Sequence, residues 1–282
     1  MTARLASAIA IVTSAAALGS VAAAQPPRIT NGAVHMQAAG SPFIQSFRTL
    51  VSAQSDVAWI GYFVPAARGG HPGCPCCIEP EGGMTVRSSS AGRIELEGPS
   101  RLVLLYRVVD RQVERIRAYP EGCELDAGGR PVRWLDRVRP ADSIALLESF
   151  VGADGDRRSR TTSGALAAIA MHADPSAAAT VERLARHHAT APVRAEAIFW
   201  LGQMAGRKAA GVITEAIEKD PDTEVKKRAV FALSQLPTGE GVPLLIKVAR
   251  ENANPVVRRQ AMFWLGQSKD PRAIDFFAEI LR

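Results

Sequence analysis

Apolar and polar positions in the second half of the chain recur at a fixed spacing. Val193, Val225 and Val257 open three copies of one stretch, 32 residues apart, at 193–203, 225–235 and 257–267. In the first copy Val193, Ala197, Trp200, Leu201 and Met204 fall on one face of a helical wheel, the face predicted to bury against a partner helix. One period further back lie Ala165 and Ile169, which predicts a weaker first copy at 162–171 behind a loop at 154–160. A second helix is predicted between the copies. Val181, Ile213, Leu245 and Phe277 share one register in it, and Leu184, Ala216, Val248 and Ile280 another. Asp174, Gly206, Thr238 and Asp270 open that helix; three of the four carry an oxygen able to cap exposed N–H groups, and a proline follows Asp174 and Asp270. Units of helix, turn and helix at this period stack into a solenoid. The prediction is an α-solenoid of helix pairs, about three and a half units, over 141–282. In its last helix Ile274, Phe276, Phe277, Ile280 and Leu281 form a broad apolar arc, from which one phenylalanine, tested as Phe276, is expected to protrude.

Residues 29–140 lack the period and read instead as short alternating runs. Ser41-Pro42 before Phe43, Ile44, Phe47, Leu50 and Val51 predicts an amphipathic helix capped by Ser41. Strands are predicted at 56–65 and 93–97. The runs 102–109 and 112–119 predict a hairpin turning at Asp110-Arg111, and 123–126 with 131–135, around Gly128-Gly129, a further pair. Together they predict a small α+β domain, mainly antiparallel, over 25–140.

A second stripe runs along the repeated helix, opposite the predicted core face: Phe199 and Gln203, Phe231 and Gln235, Phe263 and Gln267, each pair four residues apart. Two readings follow. Each Phe packs against the neighbouring unit, or the stripe is a surface on which aromatic anchors dock a protein partner.

The pattern Val-Arg/Lys-x-x-Ala-x-x-x-Leu-Gly resembles HEAT repeats, in particular the short kind related to phycobilisome-lyase repeats, over roughly 141–282. The resemblance implies helix pairs and a protein-binding scaffold without catalysis of its own. It also implies a ladder between the basic residues Arg194, Lys226 and Arg258 and acidic residues of the turns. An acidic partner is present only at Asp220 and Asp222; Pro192 and Asn254-Pro255 offer none.

The chain starts with one charge, Arg4, then runs apolar and small to Ala22-Ala23-Ala24 before Gln25-Pro26-Pro27. That predicts a signal peptide over 1–24, hence a periplasmic or secreted protein without stable membrane insertion after cleavage. The net charge of +6 is mild and spread thinly, which argues against a nucleic-acid partner. Export changes how the four cysteines are read. Cys74, Cys76, Cys77 and Cys123 are an even set and favour disulfides. The alternatives are a tetrahedral metal site from His71, Cys74, Cys77 and Cys123, or redox-active thiols. No GxSxG, HExxH or glycine-rich phosphate loop occurs, and no cofactor is expected. His172, His187 and His188 have no nucleophile at a recognisable spacing. The reading is an exported interaction scaffold with possible self-association. Its alternatives are an enzyme or lyase-like factor with a site at the domain junction, and a metal or thiol module built on the cysteine loop.

Overall fold

A computed structural model of the chain describes residues 28–67, 85–88, 100–152, 160–204 and 207–282. The expected leader 1–24, the run 93–97, His71, Cys74, Cys76 and Cys77 lie outside these residues. The first half holds β1 (Ile29–Thr30), β2 (Val34–Ala38), α1 (Phe43–Ser52), β3 (Ala58–Pro65), β4 (Thr85–Ser88), β5 (Arg101–Val109), β6 (Gln112–Pro120), β7 (Cys123–Asp126) and β8 (Val132–Asp136). Helix α1 forms where expected, but its N-cap is Pro42, extended at ψ 137°, and no side chain caps it.

The strands make two mixed sheets, which corrects the expectation of a mainly antiparallel domain. The larger has the order β2-β8-β3-β5-β6, with β2, β8 and β3 parallel and β3, β5 and β6 antiparallel. The smaller has the order β1-β7-β4. Strands β7 and β8 do not form the expected hairpin. Residues 29–38 and 125–136 instead run side by side and in parallel, leaving one sheet and entering the other together. Between the sheets the Gly129 N–H donates to the Asn31 carbonyl at 2.7 Å and the Val132 N–H to the Ala33 carbonyl at 2.8 Å. Such pairing joins distant segments and needs no turn, so local sequence does not signal it. The β5–β6 hairpin is as expected. Asp110 (φ 49°) and Arg111 (φ 61°) form a two-residue turn in the left-handed region, which matches strand twist.

Both faces of the larger sheet are covered. Trp59, Val103, Leu105 and Trp134 pack with Cys123 and Leu125 of the small sheet. Ile60, Tyr62, Val64, Leu102, Leu104 and Tyr106 belong to the core that continues into the helices. Burial on both sides explains why 102–106 is apolar without alternation.

The second half is helical: α2 (Pro140–Glu148), α3 (Arg160–Ala170), α4 (Pro175–His187), α5 (Ala191–Gln203), α6 (Arg207–Lys219), α7 (Thr223–Gln235), α8 (Thr238–Glu251), α9 (Pro255–Gln267) and α10 (Pro271–Ile280). After α2 these form four helix pairs rather than three and a half. Asp174 caps the Ser176 N–H at 2.9 Å and Asp270 the Arg272 N–H at 3.0 Å, as expected. Thr238 does not cap; it is the first helical residue, behind Pro237. The array is fused to the sheet. A Cβ on Gly164 of α3 would stand 2.3 Å from the Ile116 carbonyl of β6. The Ala67 N–H donates to the Met171 carbonyl at 2.8 Å, and the Ala173 N–H to the Pro65 carbonyl at 2.9 Å. One core runs from Phe47 to Phe276. In α10 the protruding residue is not Phe276, which is 3% exposed; Ile274, Ile280 and Leu281 protrude instead. Among the described residues no helix is long and apolar enough to cross a membrane.

Candidate interaction surface

The period places α3, α5, α7 and α9 as successive layers of one stack, and the Phe stripe lies where those layers meet. Phe199 and Phe231 stack with ring centroids 6.1 Å apart and planes 7° from parallel. Phe231 then meets Trp264 of the next layer at 4.9 Å. The Arg228 guanidinium lies 4.6 Å over the Phe199 ring and 5.4 Å from Phe231. Phe199 and Phe231 are half-buried in this ladder, whereas Phe263 is 54% exposed and, among the described residues, its one ring partner is Trp264 of its own helix, at 5.0 Å. A polar edge runs beside the rings. The Ser163 hydroxyl donates to Glu196 at 3.0 Å, and Arg228 lies beyond it. Burial raises the Glu196 pKa against the pull of both neighbours.

The glutamines part from the rings. Gln203 is half-buried, while Gln235 and Gln267 are exposed. They line a groove of about 330 Å³ between the end of α7, the start of α8 and the end of α9. Leu236 and Leu245 lie in its wall, with Trp264 and Lys269. The Trp264 indole N–H is buried and has no hydrogen-bond partner among the described residues. A second groove of about 330 Å³ lies between α4, α5 and α6 and is charged, with Arg186, Lys219, His187 and His188 beside Glu215 and Asp220. Its carboxylates are engaged. Arg186 bonds Glu215 at 3.0 Å, and Arg194 forms a two-pronged pair with Asp220 at 2.7 and 2.9 Å.

Arg194, Lys226 and Arg258 share a register and a task. Each reaches back to carbonyls of the preceding turn: Arg194 to His188 at 2.9 Å, Lys226 to Glu218 at 2.8 Å and Arg258 to Asn252 at 2.7 Å. Among the described residues only Arg194 also gains a carboxylate, so the acidic ladder is broken where the sequence lacks acidic residues.

Sequence reasoning found no nucleophile near a histidine, yet Ser143 lies 2.9 Å from Nε2 of His172. Nδ1 of His172 faces the Ala168 carbonyl at 2.6 Å and must donate to it, which leaves Nε2 to accept from Ser143. The Tyr62 hydroxyl is 2.9 Å from Ser143 and 2.6 Å from the Tyr106 hydroxyl. The four side chains come from β3, β5, α2 and the α3–α4 turn, and each is at most 2% exposed. Burial keeps His172 neutral by lowering its pKa, and raises the pKa of both tyrosines. The group is a polar joint between sheet and array. Residues 29 apart with no local motif gave it no sequence signal. Cys123 is buried in β7, and no group of His, Cys, Asp and Glu suited to a metal occurs among the described residues.

Stacked helix pairs, a ring ladder and grooves between layers define an α-solenoid. A family model described as HEAT repeats matches residues 178–261 and 210–282, so residues 178–282 carry HEAT repeats. Among solved structures, the chain is similar to a chain in the complex of CpcE and CpcF of phycocyanin lyase from Nostoc sp. PCC7120. That match has 17% identity and a TM-score of 0.38, and covers 49% of this chain and 89% of the other. It is also similar to the YibA protein of E. coli, at 23% identity and a TM-score of 0.35, over 50% of this chain and 54% of the other. No curated protein matches the chain.

Proposed function

We propose that the protein is an exported scaffold that docks an extended segment of a protein partner in the groove formed by α7, α8 and α9. The observation that carries this is the meeting, in one groove, of Gln235 and Gln267 with Trp264, whose buried indole N–H lacks a partner among the described residues, and with Lys269. Glutamine amides donate and accept at once, which suits a peptide backbone. The leucine wall and the indole supply an apolar seat, and Lys269 favours an acidic flank. Phe199 and Phe231 then hold the layers together, and the partner-binding role falls to Gln235 and Gln267 of the groove.

The test is a comparison of captures from the envelope fraction by the wild-type chain and by the double variant Gln235→Ala, Gln267→Ala. A partner retained by the first and lost by the second, followed by direct binding of a peptide from that partner, supports the reading. Equal capture by both overturns it.

Export itself rests on the leader over 1–24 and on the cysteines, and no free cysteine occurs among the described residues. Non-reducing alkylation and mass spectrometry of the mature protein are expected to find Cys74, Cys76, Cys77 and Cys123 oxidised; alkylated thiols with bound zinc would favour the metal alternative. An enzyme at the domain junction would need the Ser143–His172 pair to meet substrate, and both residues are sealed in the core.

A further inference from the structure

We propose that a second edge of the array, along α4, α6 and α8, binds a partner segment in the polyproline II conformation that is apolar at every third residue and basic at one end. The observation is that one groove occurs twice. Besides the charged groove between α4, α5 and α6, a groove of about 270 Å³ lies between α6 and α8. Its lining is that of the first, 32 residues on. Ile217 stands for Ala185, Leu244 for Val212 and Val248 for Ala216, so the apolar floor is kept and enlarged. The rim changes sign. Arg186, Glu215 and Lys219 of the first groove become Glu218, Lys247 and Glu251 in the second.

Packing between layers accounts for the charges of the first groove and not for those of the second. Arg186 and Lys219 both bond Glu215, at 3.0 and 3.3 Å. Glu218, Lys247 and Glu251 are exposed, and their side chains have no ion-pair or hydrogen-bond partner among the described residues. Two open carboxylates against one ammonium make this rim a seat for cationic groups. The spacing of the two grooves selects the backbone of the occupant. Helices α4, α6 and α8 are neighbours in that order, and packed helices stand about 8–10 Å apart. A polyproline II chain turns the same face outward every three residues, over about 9 Å. A β-strand does so every two, over about 7 Å, and misses the second groove. The first groove then takes one apolar side chain, and the second takes its counterpart three residues on with basic residues beside it. This edge lies at the turns that follow the second helices, whereas Gln235 and Gln267 lie at the turns that follow the first, so the two sites stand or fall separately.

The test is fluorescence anisotropy of the full chain at low salt with labelled peptides built on Leu-Pro-Pro-Leu-Lys-Lys and on the reversed sequence, which together cover both chain directions. One of the two is expected to bind at least about tenfold more tightly than its version with Asp in place of Lys, and to lose about tenfold or more when either Leu is replaced by Gly. The double variant Glu218→Lys, Glu251→Lys is expected to invert the preference for Lys over Asp while its melting stays that of wild type, because neither carboxylate is engaged within the chain. The double variant Gln235→Ala, Gln267→Ala is expected to bind the basic peptide as wild type does. Absence of binding, equal affinity for the Lys and Asp peptides, a preference that survives the charge reversal, or loss of the basic peptide in the glutamine variant would each overturn the proposal.

Discussion

Truncating the three ladder phenylalanines to alanine, one at a time, should destabilise the protein unequally although the substitution and the register are the same. Full burial would make each loss about 3–5 kcal/mol. Phe199 and Phe231 are half-buried, so roughly half of that applies, and each also loses a ring contact of about 0.5–1.5 kcal/mol. The sum is about 2–4 kcal/mol for each, with Phe231 the worse because it has rings in the layers on both sides, Phe199 at 6.1 Å and Trp264 at 4.9 Å. Phe263, 54% exposed and beside only Trp264 of its own helix, should cost about 1 kcal/mol or less. Urea unfolding of dilute monomer, followed by far-UV circular dichroism, gives the three values directly. The expected order is Phe231, then Phe199, then Phe263. Equal losses, or Phe263→Ala as the most damaging, would refute the assignment of the stripe to packing between layers.

Other expectations rest on single contacts. Gly164→Val should destabilise by at least about 1–3 kcal/mol, since the new side chain meets the Ile116 carbonyl, a backbone atom that cannot rotate away; thermal melting reads it. Arg194→Ala should cost about 2–3 kcal/mol, because it leaves the Asp220 carboxylate only the Asp222 N–H among the described residues and uncaps two carbonyls. The same change at Arg258, which has no carboxylate among the described residues, should cost clearly less when both variants are unfolded in urea. His172 is neutral in the fold because burial lowers its pKa. The unfolded chain therefore binds the proton first, so the contribution is complete above about pH 6.5 and is lost as pH falls below it toward the folded value. His172→Gln should flatten the pH dependence of melting between about pH 7 and 5 relative to wild type, and an unchanged slope would remove His172 as its cause.

What the sequence disclosed, and what it withheld, follows the range of the contacts concerned. Helices α5, α7 and α9 were readable because Val193, Ala197 and Leu201 recur in register and bury the same face each time. The hairpin at Asp110-Arg111 was readable because its partners are adjacent in the chain. The pairing of 34–38 with 132–136 was not, since nothing local distinguishes a strand that waits for a parallel partner nearly a hundred residues away. The ring stripe was visible as a pattern but not as a place. Phe199, Phe231 and Phe263 share one register in sequence and have different neighbours in space. The groove combined Gln235 and Gln267, which the pattern marked, with Lys269, which it did not, because Lys269 lies in a turn where the period is loose.

That contrast separates the residues that build the array from those that could give it a function. Ala197, Ala229 and Ala261 are identical and all fully buried, since every layer meets the same steric demand where its two helices approach. Three residues before each Phe the identities change while the register holds: Glu196, Arg228 and Gln260. Glu196 takes a hydrogen bond from Ser163, Arg228 lies over two rings, and Gln260 is half-buried on α9. A position that varies in chemistry at fixed geometry carries little of the folding pattern, so it is free to set what each layer accepts. The same holds for the turns, where Asp220 engages Arg194 and Asn252, which stands in its place one period later, brings Lys226 no carboxylate. On the proposed function the repeated glutamines Gln235 and Gln267 supply the common seat, and Lys269, a position at which the repeats disagree, sets the preference, so Lys269→Ala should alter binding with little effect on melting.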